Sequence, residues 1–259
     1  MSDAGHAVVK FGLKVADREL EASARVPAGA VRVVDVLPVL HGLASAIISV
    51  AEEQVREEGK TISCRAGCGA CCRQVVPISE MEARYLADLV ASMPEERRAE
   101  VVERFRAAVE VFEAKGLIDK LRSISNYTPD ERLVAAMEYF HVGVPCPFLV
   151  EESCSIHPFR PMSCREYLVT SPAEKCKTPD AKSITMVPLS AKPSLALYRF
   201  TDGQGGDKWR YLPLVLALEW AAEHAGDPQP ELPGPEIVMN FLRRISQLPA
   251  DSVPPSAPV

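Results

Sequence analysis

Apolar and polar positions alternate over residues 7–26, with Val9, Phe11, Leu13 and Val15 on one side, then Leu20, Ala22, Ala24 and Val26 beyond a polar break at 16–19. A period of two belongs to strands with one buried face, so the pattern predicts a β-hairpin. From Val36 the spacing changes: Leu40, Leu43, Ile47 and Val50 recur at three- and four-residue steps before the charged run at 52–60. That is a helical stripe, and it predicts a long helix leading to Cys64. Residues 31–51 are the most apolar stretch, yet Arg32, Asp35, Pro38 and His41 interrupt them, which favours a buried helix over a membrane span.

Ser79 and Glu82 make a capping-box pattern ahead of Met81, Tyr85, Leu89 and Met93. Pro94 opens a further helix with the stripe Val101, Phe105, Ala108 and Phe112, and Thr128, Pro129 and Glu131 start another carrying Leu133, Met137 and Phe140. After Cys176 the pattern predicts strands at 184–187 and near 195–200, a turn at 202–207, a helix over 212–223 and a last helix over about 235–245. Eight of the 22 prolines fall between Pro228 and Pro258, so residues 249–259 are expected to form a loose tail. The fold class expected is α+β, mainly helical, with an N-terminal hairpin and a small cysteine-rich metal-binding core. Its parts are a hairpin and long helix (1–60), a cysteine-cluster domain with a helical insertion (61–180), further strands and helices packed on the same domain (181–248), and the tail (249–259).

At 259 residues and 47% hydrophobic, the chain buries a core without needing disulfides. A net charge of -6 argues against a dedicated nucleic-acid or anionic-membrane binder, since phosphate contact needs clustered cations. Asp3, Lys10, Lys14 and Asp17 break up the N-terminus, which lacks the apolar core of a secretory signal, and the expected location is cytoplasmic. In a reducing compartment, clustered cysteines point to metal binding or redox chemistry.

There are eight: Cys64, Cys68, Cys71 and Cys72 within nine residues, then Cys146, Cys154, Cys164 and Cys176. Gly67 and Gly69 let the first loop curl. All eight thiols are candidate metal ligands, enough for two four-ligand sites or one with spares. Adjacent Cys71 and Cys72 point in different directions, so one can be a ligand and the other a packed thiol. An extended hairpin over 148–156, turning at 151–153, would leave Cys146 and Cys154 on the order of 13 Å apart, too far to share an ion. Pro161 can start a helix whose first turn holds Cys164 and favours its thiolate. Arg65, Arg73, Arg165, Lys175 and Lys177 flank the cysteines as candidate counter-cations.

Three blocks, C-x3-C-x2-C-C at Cys64 to Cys72, Cys-Pro-Phe-Leu from Cys146, and C-x-I-x-x-x-R-P-x-x-C-R from Cys154 to Arg165, resemble the YkgJ-type cysteine-cluster family. The resemblance spans about residues 60–180 and implies a zinc- or iron-chelating domain; His157 stands where that family usually has Tyr, and its role stays open. A related cluster in flagellin lysine methylases is linked to an iron-sulfur centre, so an iron-sulfur redox or methylase-like enzyme is the alternative to a plain metal-binding protein. Radical S-adenosylmethionine enzymes share the spacing of Cys64, Cys68 and Cys71. They place it after the first strand of a βα barrel, whereas helices surround it here, and Ala70 replaces their usual aromatic. A zinc ribbon needs a second C-x2-C knuckle, and the loop at 202–207 lacks the Lys and Ser/Thr of a P-loop.

Overall fold

The computed structural model describes residues 5–15, 17–177, 183–200 and 209–247. About 53% of the described residues are helical, and the fold is of the α+β class. It runs β1 (His6–Val15), β2 (Arg18–Pro27), β3 (Ala30–Arg32), α1 (Val33–Glu57), β4 (Pro77–Ser79), α2 (Glu80–Ala91), α3 (Glu95–Ala114), α4 (Ile118–Arg122) and α5 (Pro129–Val142). There follow β5 (Leu149–Val150), β6 (Ser153–Cys154), α6 (Met162–Glu166), α7 (Pro193–Tyr198), β7 (Tyr211–Pro213), α8 (Ala217–Glu223), β8 (Glu231–Pro233) and α9 (Gly234–Gln247).

The period-two segment is the antiparallel pair β1–β2, with Val9 facing Ala24 and Leu13 facing Leu20. Its inner residues Val9, Leu13, Val15, Ala24 and Val26 pack on α1 and on Ile237, Val238 and Phe241 of α9. This contact decides how α1 is used. By length and composition α1 could cross a membrane, but 61% of its most apolar window is buried inside the protein. Leu37, Leu40 and Ala44 are fully covered.

A second core joins α2, α3 and the segment after α5. Phe112 stacks on Tyr139 at 4.4 Å between ring centres, and Phe105 meets Phe148 edge-on at 5.3 Å. Burying each such ring removes enough apolar surface to stabilise the fold by about 2 kcal/mol. The capping box expected at Ser79 is present, with Ser79 accepting from the Glu82 amide, and the helix start expected at Thr128 forms a second one, with Thr128 accepting from the Glu131 amide.

The pattern misled in three places. Residues 195–200 are not a strand: Pro193 starts α7, all six of whose residues are buried, and a short fully buried run has no period to separate strand from helix. At 184–187 there is one bridge, Val169 to Met186, and no strand. The helix expected over 212–223 begins only at Ala217, because residues 211–213 first pair with β4, and a 3-10 turn over Leu214–Leu216 intervenes. The turn at 202–207 and the tail at 249–259 lie outside the described residues.

Candidate metal centre

The first cysteine loop begins where α1 ends, turning at Gly59 with φ +72°. The Ser63 amide then donates to the Val169 carbonyl at 2.9 Å, and the Val169 amide donates to Cys64 Sγ at 3.4 Å. A turn closed by the Cys68 amide on the Arg65 carbonyl needs φ +81° at Gly67, a left-handed angle that side chains resist. Gly69 is required for a different reason. A Cβ there would lie 2.7 Å from the Glu152 carbonyl oxygen and 2.6 Å from Leu149 Cδ1.

That contact is where the second loop lands. α5 stops at Gly143 in the left-handed region, and the chain turns at once, with the Leu149 amide donating to the Cys146 carbonyl at 2.8 Å. The expected hairpin follows, with Leu149 paired to Cys154 and Val150 to Ser153. The β5–β6 turn itself uses Glu151 and Glu152 at φ 48° and 59°. Glu152 is held there by Arg73, whose two Nη atoms donate to its oxygens at 2.6 and 3.2 Å.

α6 is fixed from three sides. The Met162 amide donates to Glu82 Oε1 at 2.8 Å, and Ser163 Oγ donates to the Pro77 carbonyl at 2.5 Å. Glu166 accepts from the amide and hydroxyl of Ser194 at 2.7 and 2.5 Å; burial raises its carboxyl to about 7 against those donors. Cys176 arrives on a 3-10 turn over Ala173–Lys177, with its carbonyl accepting from the buried Gln74 side chain at 3.4 Å.

These anchors bring cysteines from separate segments towards one another. Cys64, Cys68, Cys71 and Cys176 pack with Ala70, Tyr167 and Val169. Cys146 and Cys154 pack against the second core. The adjacent Cys72 thiol, followed by burial, pushes the Cys71 thiol far up. Burial raises Cys64 and Cys154, lifts Cys176 to about 11 and Cys146 to about 12, and drives Cys164 well above its ordinary value. At Cys164 burial therefore outweighs the favourable first helical turn expected from Pro161. A donor already aims at one sulfur: the Val169 amide bonds to Cys64.

As they stand, no three His, Cys, Asp or Glu side chains among the described residues are close enough to grip an ion. The thiols are gathered rather than closed. The donor set is nonetheless what a soft or borderline cation needs: sulfur only, poorly hydrated, with an amide donor ready to steady a thiolate. Binding an ion would replace the protons that burial holds on these sulfurs.

The flanking cations expected from sequence are mostly engaged elsewhere. Arg73 and Lys177 face Glu152, Arg65 and Lys175 are exposed, and Arg165 donates to the carbonyls of Arg160 and Pro158 and to Ser45 Oγ at 2.9, 2.6 and 3.1 Å. Against the larger effect of burial, and at Cys71 of Cys72, the Arg160 charge draws the thiols of Cys64, Cys71, Cys154 and Cys164 down. Sequence reasoning passed over it, although it stands in the R-P-x-x-C-R block. His157 is exposed beside Arg160 and Arg165, and desolvation followed by these cations lowers its pKa.

Residues 63–182 match the model of the CxxCxxCC family, described as "Putative zinc- or iron-chelating domain". Here Arg65, Ala66 and Gly67 separate the first two cysteines, one residue more than the family's name spells out. No curated protein and no solved structure matches the chain.

Proposed function

We propose that this protein holds zinc or iron through its eight cysteines, as a metal-binding protein of a reducing compartment. One observation carries the reading: cysteines more than a hundred residues apart are brought together, with Cys64, Cys68 and Cys71 packed against Cys176 and the Cys146 amide bonded to the Cys72 carbonyl. In this reading Cys64, Cys68, Cys71 and Cys176 supply four sulfurs, and Cys72, Cys146, Cys154 and Cys164 supply the rest. Four thiolates suit a structural zinc ion, and they equally suit an iron-sulfur cluster.

Within that centre the chain's own groups have defined tasks. The Val169 amide orients and steadies the Cys64 sulfur. Ala70, Val169, Phe148 and Ile156 keep water away, which strengthens each sulfur's interaction with a cation. A bound ion would supply the positive charge that these desolvated thiolates require.

Elemental analysis of protein purified without oxygen or chelators tests this. About one or two equivalents of zinc or iron are expected. Colourless protein with zinc assigns an ion, and visible absorption that bleaches on reduction assigns an iron-sulfur cluster. Protein free of both metals overturns the proposal.

A further inference from the structure

The β5–β6 turn has a shape that its residues resist. Glu151 and Glu152 join Val150 to Ser153 with φ 48° and 59°, and they are the two positive-φ residues other than glycine among the described residues. A two-residue hairpin turn with both φ positive favours Asn-Gly, because a Cβ crowds the backbone in the left-handed region. Two glutamates keep such angles only where their surroundings over-determine them.

Those surroundings are the other cysteine segments. Arg73, next to Cys72, donates to Glu152 from both Nη atoms at 2.6 and 3.2 Å, and Lys177 Nζ, next to Cys176, lies 3.8 Å from the same carboxylate. The Glu152 carbonyl and Leu149 Cδ1 lie over Gly69, where a Cβ would come within 2.7 and 2.6 Å of them. One residue therefore meets the first loop through both backbone and carboxylate, and faces the last cysteine segment by charge. The base of the hairpin is fixed separately, by Phe148 and Ile156 in the second core. Its tip, with Val150 and Glu151 exposed, is held through Glu152.

We infer that Glu152 is a positioning residue that latches the hairpin tip onto the first cysteine loop, so that releasing the turn uncovers Cys68, Cys71 and Cys72, the thiols that flank Gly69 in sequence. The consequence for metal, a latch that sets how fast an ion enters and leaves, rests on the chelation reading above. The latch itself belongs to the metal-free chain. Arg73 and Glu152 are 31% and 46% exposed, and a pair so wet adds little to global stability. Set against a strained turn, the same small contribution decides whether the tip is down or up.

The test is the rate at which an aromatic disulfide reagent labels the full chain, reduced and stripped of metal, with the labelled cysteines located by mass spectrometry. Wild type is compared with Glu152→Gln, which keeps the shape and loses the charge, and with Glu151→Asn, which tolerates the turn and keeps the latch. Melting of each metal-free form is the control for the fold. Glu152→Gln should label Cys68, Cys71 and Cys72 about fivefold faster at a nearly unchanged melting temperature, and Glu151→Asn should label them more slowly than wild type. Unchanged rates at these three thiols in Glu152→Gln would overturn the inference. So would acceleration at all eight thiols with a lowered melting temperature, which is general loosening. If Glu152→Gln does not fold, Arg73→Lys decides, since it keeps the charge but gives up the two-pronged grip: faster labelling of the three thiols sustains the latch, and wild-type rates overturn it. In zinc-loaded protein, transfer to a chelator should speed up in the same variants. Wild type that takes up no zinc, and carries no iron when freshly purified, removes the chelation reading and leaves the labelling result to decide the latch.

Discussion

The amide of Cys146 donates a 2.7 Å hydrogen bond to the carbonyl of Cys72, joining two cysteine loops that 73 residues separate in sequence. Beside it, Gly69 sits against the Glu152 carbonyl and Arg73 grips the Glu152 carboxylate. The loops are therefore docked by direct contacts, and an ion would meet them already assembled. This separates the stability of the docking from the affinity of the centre.

The docking predicts a difference between two neighbouring glycines. Gly69→Ala drives a methyl into a backbone carbonyl and Leu149, contacts that cannot give without moving the hairpin, so a loss of about 1–3 kcal/mol is expected. Gly67→Ala meets open space and suffers only from its φ of +81°, worth about 1 kcal/mol. Denaturant unfolding of the metal-free forms should rank Gly69→Ala as the more damaged; the reverse order would show that the loops do not press together there.

Glu82 predicts a larger effect from farther away. It is 1% exposed and accepts from the Ser79 amide and hydroxyl and from the Met162 amide, tying α2 to the start of α6 and so to Cys164. Glu82→Ala strands those donors in the core, and a loss of about 3 kcal/mol or more is expected by chemical denaturation. Glu131, which closes the same kind of box on the surface, should matter far less when replaced by Ala. Equal losses for the two would mean that Met162 is not held by Glu82.

Much of this frame was legible in the sequence, for reasons tied to particular residues. The hairpin and the helices carry one buried face each, so Val9, Leu13 and Ala24, or Val101, Phe105 and Phe112, repeat at the period of their element. The capping boxes at Ser79 and Thr128 fall where the residues themselves dictate hydrogen bonds. Residues 195–200 failed because burial on all sides erases periodicity. The three-residue pairs β3–β8 and β4–β7 are too short to leave a pattern. All eight cysteines were legible as a set, but their grouping was not, since it depends on the Cys146 amide reaching the Cys72 carbonyl and on Gln74 holding the Cys176 carbonyl. Arg160 was hidden for a related reason: a cation's partner is set by the fold, and five other cations lay nearer to cysteines in sequence.

The packing around Cys71 predicts an order among cysteine variants. Cys71→Ser should lose most of the bound metal, because it packs with Cys64, Cys68 and Cys176, and Cys68→Ser should also lose much of it. Cys72→Ser should be mildest, since Cys72 stands outside that packed group. Cys176 is buried against Cys64, Cys68 and Cys71, so its replacement should be nearer to Cys68→Ser than to Cys72→Ser. Metal content after anaerobic purification reads the order directly, and Cys71→Ser retaining full metal would refute it.

At the surface, Glu131 predicts a pH dependence whose sign is fixed. Its carboxylate accepts from the Thr128 amide at 2.7 Å and hydroxyl at 2.8 Å, and these bonds hold its pKa below the ordinary 4.5. A carboxyl lowered by folding stabilises the protein above its unfolded pKa and loses that contribution as pH falls through the folded value. The stability gap between wild type and Glu131→Gln should therefore be full at about pH 6 and shrink towards about pH 3. A gap that widens in acid would contradict the capping role.

Removal of the ion tests how far the centre and the fold depend on each other. Binding free energy at a structural thiolate site becomes folding free energy for whatever the ion holds, on the order of 10 kcal/mol for tight zinc. Helices α2, α3 and α5 keep their own core through Phe105, Phe112, Tyr139 and Phe148, and nothing in that core requires a metal. The cysteine loops are intermediate, held by the Cys72–Cys146 bond and the Arg73–Glu152 pair but with thiols gathered rather than closed. Chelation should accordingly raise hydrogen exchange over residues 60–80 and 144–178, while amides near Leu89, Phe105 and Met137 stay protected. Within the loops the Cys146 amide should remain slower to exchange than the Val169 amide, whose acceptor is a sulfur that an ion would fix. Exchange unchanged in both loops would mean that a bound ion does not bridge them, and loss of protection in the helices as well would mean that the ion organises the whole fold.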